Sequence, residues 1–308
     1  MIRLSLIIAT YNRAAQLLTT LRSVAEQSAR GELWECIIVD NNSTDDTREC
    51  VEAFIAEHAG LGLRYLFEPE QGLSAARNAG VRVAKGEILA FIDDDERIVP
   101  EWIEAYIELF ERYDDAMSAG GPIIAEYPAG RPRWMSRYAE QPIANAMWFG
   151  EELRLFPKGH IPGGGNMAIR RSVLEAVGLF NTSLGRSAES LIGGEECELF
   201  ERMKRSGMRC YYTPRAVMYH RIPEQKLTEA YFRRLAYNTG VSQRRRAEIH
   251  RRMLRLYIGE AAKWAATMLL ALLHRPSQAR YLFILRREIS RGIFARDSYE
   301  AQPQWQGA

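Results

Sequence analysis

Apolar residues in the first part of the chain come as short unbroken runs that alternate with helical stripes. Leu4 to Ala9 is rich in branched side chains and predicts a buried strand. Leu17, Leu21, Val24 and Ala25 share one face of a predicted helix over 14–28. Cys36 to Asp40 predicts a second strand, after which Ser43 or Thr44 can cap a helix running to about residue 58. Leu63 to Phe67 reads as a third strand, 73–84 as a helix ended by Gly86, and Ile88 to Ile92 as a fourth strand. Pro100 suits the first position of an amphipathic helix. Strand and helix alternating at this rhythm predict βαβ units and a mostly parallel sheet, an α/β fold.

Between about 127 and 162 the pattern dissolves among Pro128, Pro132, Pro142, Pro157 and Pro162, with Trp134 and Trp148 expected to be exposed. A loop this long inside a domain is usually functional and can cover a site. Order resumes over 165–180 with a short strand and a helix. A helix over 196–206 ends at Gly207, and strands near 209–212 and 216–219 close the body. Beyond Pro223 the pattern is helical to about residue 294. The expected organisation is therefore an α/β domain over 1–222 and a helical appendage over 223–308, with no internal repeat.

The 308 residues are 47% hydrophobic and 26% charged, which suits a soluble globular chain with a sizeable core. The net charge of +2 hides a division. Residues 221–308 hold 17 Lys and Arg against 7 Asp and Glu, whereas residues 1–220 hold 24 against 32. A basic C-terminal segment suggests an anionic partner. No nucleic-acid reader motif accompanies it, so nucleic acid is not the expected partner. The apolar run at the N-terminus breaks too early for a secretory signal. Trp264 to Leu273, the longest strongly apolar stretch without charge, is too short for a bilayer core of about 30 Å. The 4 cysteines form no CxxC pair, so a zinc site is not expected, and a reducing cytosol fits their number. Cys36 is read as a core residue.

The C-terminal helices are amphipathic. Glu260, Lys263, Thr267 and His274 form one polar stripe and leave a broad apolar face with Trp264, Met268, Leu269 and Leu272. Leu282, Leu285, Ile289 and Ile293 oppose Arg286, Arg287 and Arg291, and Arg244 to Arg246, Arg251 and Arg252 precede both helices. Two outcomes are open. The stripes can pack on each other and on the body, or the segment can lie on an anionic membrane surface at the cytoplasmic face.

The most informative segment is Asp93-Asp94-Asp95-Glu96, just past the carboxyl end of a buried strand. Ligands of open α/β sheets bind outside such strand ends. Adjacent carboxylates repel one another, and a hard divalent cation with oxygen ligands compensates them. A solvated acidic turn is the plainer alternative. Asp40 and the segment Thr10-Tyr11-Asn12 end two further strands at the same edge. Asn42, Ser43 and Asp46 are read as turn and cap residues.

Six segments in order carry a specific resemblance: LIIATYNR, CIIVDNNSTDDT, EQGLSAARNAG, GEILAFIDDDERIVP, GGGNMAIRRSVLEAVGLF and GGEECELFERMKRSG. Together they resemble the family 2 inverting glycosyltransferases of the GT-A-type fold, a Rossmann-like arrangement, over roughly residues 3–222. The resemblance implies a nucleotide-diphosphate sugar donor, UDP-linked by expectation, a divalent cation (Mn²⁺ or Mg²⁺), and direct displacement with inversion. It implies a glycan or polyprenyl- or other lipid-linked acceptor, as in polysaccharide and cell-envelope synthesis. Carried over by residue, Thr10, Tyr11, Asn12 and Arg13 belong to the nucleotide pocket with Asp40, which accepts from the base. Arg77 faces the nucleotide and pyrophosphate, Asp93 lies near the ribose and metal, and Asp94 belongs to the nucleotide site. Asp95, with Asp93 and His220, holds the metal. Gly164, Gly165 and Asn166 lie beside donor sugar and acceptor.

A sugar hydroxyl attacking an anomeric carbon needs a general base. The family usually has Glu-Asp where this chain has Glu195-Glu196, and Glu196 is favoured over Glu195 as base. Helix N-terminal charge is the plain alternative for the pair. A sugar nucleotidyltransferase is a rival reading, weakened by the absence of a Gly-rich phosphate loop at Thr10 to Arg13. An inactive nucleotide-sugar-binding scaffold is another, weakened because Asp95 and both base candidates are present.

Overall fold

A computed structural model describes residues 2–187 and 190–295, so residues 296–308 of the expected helical appendage lie outside the described residues. The described residues form two compact units, one drawn from within 1–126, 146–182 and 195–221 and the other from within 127–145, 183–194 and 222–308. The boundary at 221/222 coincides with the end of periodic strand and helix alternation.

The first unit opens with β1 (Leu4–Thr10), α1 (Ala14–Ala25), β2 (Trp34–Asp40), α2 (Thr47–Glu57), β3 (Leu63–Phe67), α3 (Leu73–Val83) and β4 (Ile88–Asp93). There follow β5 (Glu96–Ile98), α4 (Trp102–Arg112), β6 (Ala116–Gly120) and β7 (Ile123–Glu126). The helical unit then contributes α5 (Arg137–Ala144), after which the first unit resumes with β8 (Arg154–Leu155), β9 (Met167–Arg170), α6 (Arg171–Val177), α7 (Glu195–Arg205), β10 (Arg209–Tyr212) and β11 (Met218–Arg221). An 8-stranded sheet runs β3-β2-β1-β4-β9-β6-β10-β8, and a 3-stranded sheet runs β5-β11-β7. In the large sheet β9 and β8 run against the other strands. The mostly parallel α/β architecture is as the periodicity predicts.

Alternation along the strands divides the core. Leu4, Leu6 and Ile8 of β1 join Cys36, Ile38 and the apolar faces of α1, α2 and α4 in one cluster. Ile7, Ile37, Val39, Leu89 and Phe91 point the other way, against α3, α6 and α7. Strands buried on both faces read as continuous apolar runs, which is why β1, β2 and β4 were visible in the sequence. Cys36 is fully buried, and burial pushes its thiol pKa up.

Several boundaries differ from expectation. Pro100 precedes the N-cap, Glu101, instead of occupying the first helical position. Neither Ser43 nor Thr44 caps α2: Asp46 is its N-cap, and Asp45 Oδ1 accepts from the backbone N–H of Thr47 at 3.1 Å. The stretch over 127–162 is not all loop, since Ser136 caps α5 and Asn145 ends it in the left-handed conformation. Pro142 hid that helix, sitting inside it near its C-terminal end. Trp148 is exposed, but Trp134 is half-buried and stacks on Tyr281 with ring centroids 4.0 Å apart.

The second unit consists chiefly of α5, α8 (Glu229–Ile249), α9 (Met253–Leu272) and α10 (Pro276–Phe294). Leu282, Leu285, Ile289 and Ile293 of α10 are buried, as are Phe232, Leu235 and Val241 of α8. The two helices cross at backbone contact through Gly240 and Gly292, whose Cα atoms face each other with no room for a methyl group. Among the described residues no helix is long and apolar enough to cross a membrane.

Candidate active site

Parallel pairing sets the site. Thr10 is in register with Asp40, and Ala9 with Asp93, so β1, β2 and β4 end together at one sheet edge. These strand ends and the loops beyond them carry Thr10 to Arg13, Asp40 and Asp93 to Asp95.

Asp94 is buried at the centre of the β1 and β4 loops. Its Oδ2 accepts from Thr10 Oγ1 at 2.9 Å and its Oδ1 from Arg13 Nη1 at 2.8 Å. Arg13 Nη1 also lies 3.3 Å from Asp95 Oδ2. Burial raises the Asp94 pKa, with help from Asp95, while Arg13 and Thr10 oppose the rise. Arg13 in turn is held more firmly in its charged form, above all by Asp94. Asn12 is exposed in the left-handed region, φ 52°. Its Oδ1 accepts from Thr44 N at 2.7 Å, which ties the first loop to the second. Tyr11 beside it is partly exposed.

Asp40 is buried. Its Oδ1 accepts from Ser43 N at 2.9 Å and its Oδ2 from Tyr65 OH at 2.7 Å. Each carboxylate oxygen keeps acceptor capacity for a further donor. The Tyr65 pKa is pushed up by burial and by Asp40.

Arg77, on α3, is buried beneath the edge. Nη2 donates to Asp93 Oδ1 at 2.9 Å and to Gly164 O at 3.1 Å, and Nη1 donates to Glu195 Oε1 at 2.8 Å. Burial works against its charge, but Asp93, Glu195 and Glu196 outweigh it and raise the pKa. One guanidinium thus joins the ends of β4, the glycine loop and the start of α7. Glu195 is buried there, whereas Glu196 is partly exposed in the same first turn.

Gly165 packs on Glu96, where a Cβ would fall 2.2 Å from both carboxyl oxygens. Glu96 accepts from Asp93 N at 2.8 Å, and burial followed by Asp93 and Asp95 raises its pKa well above the ordinary value. Asn166 is fully buried. It donates to Pro122 O at 2.8 Å and Ala216 O at 2.9 Å, and accepts from Trp102 Nε1 at 2.9 Å and Tyr106 OH at 2.8 Å. Its amide hydrogen-bonds are all made inside the protein, so it anchors the glycine loop. Trp102 and Tyr106 went unnoticed in the sequence, and Glu96, seen there as the last residue of the acidic segment, was given no role of its own.

His220 arrives on β11, opposite Glu96 of β5. Its Nε2 lies 3.7 Å from Asp95 Oδ1. Of the three expected metal ligands, Asp95 and His220 are therefore neighbours, while Asp93 is engaged by Arg77. Among the described residues no group of three or more His, Cys, Asp and Glu side chains gathers for a metal. A two-residue set of one carboxylate and one imidazole fits a divalent cation whose other ligands are diphosphate oxygens and water.

Against this geometry, residues 5–178 match the model of the family described as "Glycosyl transferase family 2". The chain belongs to glycosyl transferase family 2. This glycosyltransferase is 30% identical over 238 residues to the succinoglycan biosynthesis protein ExoM of Rhizobium meliloti, covering 76% of this chain and 71% of that one. It is 25% identical over 228 residues to the glucosyl-dolichyl phosphate glucuronosyltransferase of Haloferax volcanii, covering 73% and 71%. Among solved structures it resembles the mannosyltransferase PcManGT of Pyrobaculum calidifontis in complex with GDP-Man and Mn²⁺. There the TM-score is 0.65 at 20% identity, over 96% of this chain and 88% of that one. The glycosyltransferase has the GT-A-type fold that its motifs implied.

Proposed function

We propose that this glycosyltransferase moves a sugar, with inversion, from a nucleoside diphosphate sugar to a hydroxyl of a glycan or lipid-linked acceptor. The observation that carries the reading is the pair Asp95 and His220, 3.7 Å apart beside the end of β4. Thr10 to Arg13, Asp40 and Asp93 would surround the nucleotide, with uracil the proposed base. Asp95 and His220 would hold Mn²⁺ or Mg²⁺. Such a cation, when bound with the diphosphate, neutralises charge that grows on the leaving oxygen.

The chain's own groups supply the rest. Glu195 is tied to Arg77, and a carboxylate held by a guanidinium is a weak proton acceptor. Glu196, partly exposed next to it, is the proposed base. It takes the proton of the acceptor hydroxyl as the acceptor oxygen bonds to the anomeric carbon and the bond to the diphosphate breaks. The relatives' names speak of succinoglycan synthesis and of a dolichyl-phosphate-linked sugar, which supports a glycan or lipid-linked acceptor. We place the work at the cytoplasmic face of a membrane.

The test pairs calorimetry with product analysis. UDP binding should require Mn²⁺ or Mg²⁺ and weaken strongly in Asp95→Ala and His220→Ala. A panel of nucleotide sugars and lipid-linked acceptors should give product of inverted configuration by mass spectrometry and NMR. Nucleotide binding unchanged in EDTA would overturn the metal assignment, and retained configuration the mechanism.

A further inference from the structure

Helix α9 is built inside out. Its 20 residues contain one acidic side chain, Glu260, and that side chain is buried. Oε2 of Glu260 accepts from Arg286 Nη1 at 2.8 Å and Oε1 from Ser290 Oγ at 2.7 Å, both on α10. Trp264 Nε1 donates to the same Ser290 hydroxyl at 2.9 Å, and Thr267, the other buried residue of α9, lies on the same side. The polar stripe therefore faces the neighbouring helix. Residues three and four apart share a helix face, so the opposite side collects Leu254, Ile258, Leu269 and Leu272. These leucines are not marginally accessible: Leu254 is 73%, Leu269 66% and Leu272 83% exposed. Leu273, just past the helix end, is 81% exposed.

A contiguous apolar face of this kind marks an interaction surface. Charge decides among its occupants. Glu288 is the one acidic residue of α10, and it is buried among Arg233, Arg287 and Arg291. The exposed surface of α9 and α10 carries Arg255, Lys263, Arg280, Arg287 and Arg291; Glu288 pairs with Arg287 and Arg291 and Glu229 of α8 with Arg280, but the acidic side chains of α9 and α10 are both buried, so the exposed balance stays basic. A second copy of the chain would bring like charges together. An anionic lipid surface brings the complement, and the exposed leucines supply what enters it.

We propose that the exposed face of α9 lies flat in the interface of an anionic bilayer, with Leu254, Ile258, Leu269 and Leu272 entering the acyl boundary and the flanking arginines meeting lipid phosphates. No helix among the described residues can span, so this face rests on the bilayer without crossing it. The proposal sharpens the membrane location given above and does not depend on the sugar-transfer reaction.

The experiment uses the full chain and vesicles of phosphatidylcholine with or without phosphatidylglycerol. The protein should co-sediment with the mixed vesicles at least about tenfold better than with phosphatidylcholine alone, and salt should weaken the binding as screening grows. The double variant Leu269→Glu, Leu272→Glu should lose most of the binding, and Arg255→Glu should reduce it, while UDP binding and thermal unfolding stay unchanged. As a readout independent of those variants, tryptophan fluorescence of Leu269→Trp should be quenched by brominated lipid. Absence of vesicle binding by the unaltered chain, or binding indifferent to both sets of substitutions, overturns the proposal. So does a solution dimer that the leucine variant dissociates without any vesicle binding, which would assign the face to a second copy. None of these outcomes bears on whether the chain transfers sugar.

Discussion

Arg77 donates from Nη1 to Oε1 of Glu195 at 2.8 Å, and both side chains are buried. The contact links the middle of α3 to the first turn of α7 across 118 positions of sequence. Its other nitrogen serves Asp93 and the carbonyl of Gly164. The relative positions of the acidic strand end, the glycine loop and the candidate base thus depend on one guanidinium. Lys could not replace it, because a single ammonium on a flexible stem lacks the planar fork that reaches all three.

Arg77→Ala should therefore cost stability as well as function. Removing one partner of a buried ion pair leaves an uncompensated charge and typically costs about 3–5 kcal/mol. Here two carboxylates, Asp93 and Glu195, lose the same partner. Denaturant unfolding should show a loss in that range, and Arg77→Lys should recover only part of it. A loss below about 1 kcal/mol for Arg77→Ala would mean that the network adds little beyond a surface pair.

The two glutamates at the start of α7 should separate in kinetics. Glu196→Gln should keep nucleotide binding and thermal stability but lower turnover by roughly 10²–10⁴-fold, the span of a lost general base. Glu195→Gln should lower stability as well, since it weakens the tie to Arg77. If Glu195→Gln proves the larger turnover defect at unchanged stability, the roles within the pair are exchanged.

How far such roles can be read from sequence differs along the chain. The strand ends at Thr10, Asp40 and Asp93 were legible because buried parallel strands are unbroken apolar runs, and a polar residue must mark where each run leaves the core. What each carboxylate binds was not legible. Arg77 and Glu195 meet only once the fold is formed, and Asn166 looks like a loop residue until Trp102 and Tyr106 are seen against its amide. Pro142 concealed α5, since proline ordinarily argues against a helix interior. In α9 the periodicity showed a polar stripe and an apolar face but not which of them points inward. Only Arg286 and Ser290, on another helix, answer that.

A pH dependence follows from Glu35, on β2. Its buried carboxylate accepts from Ser5 Oγ at 2.7 Å, Lys85 N at 2.6 Å and Arg64 Nη1 at 2.7 Å. Burial alone would raise its pKa, but these donors outweigh it and hold the group below its ordinary value of 4.5. A depressed pKa means that the folded state binds the proton less readily than the unfolded chain. The stabilisation is therefore complete above 4.5 and is lost as pH falls through the folded value. The stability difference between the unaltered chain and Glu35→Gln should be constant near neutrality and shrink in acid. A difference that does not change with pH would contradict the assignment.

The crossing of α8 and α10 offers a test with its own control. A Cβ on Gly292 would lie 2.1 Å from Tyr237 O and 2.8 Å from Val241 N. Both obstacles are backbone, so no rotamer change relieves them, and the helices must move apart. The mirror contact exists at Gly240, where a Cβ would meet Ile289 O at 2.1 Å. Overpacking of this kind costs about 1–3 kcal/mol. Replacing glycine by alanine inside a helix returns about 1 kcal/mol in propensity, which offsets only part of that. Gly259 on α9 has nothing within 4 Å of its ideal Cβ. Gly259→Ala should therefore stabilise the helical unit by up to about 1 kcal/mol, whereas Gly292→Ala and Gly240→Ala should destabilise it. Urea midpoints followed by far-ultraviolet circular dichroism would measure all three. Equal stabilisation by the three substitutions would mean that α8 and α10 do not touch at their backbones, and the packing described for this unit would have to be redrawn.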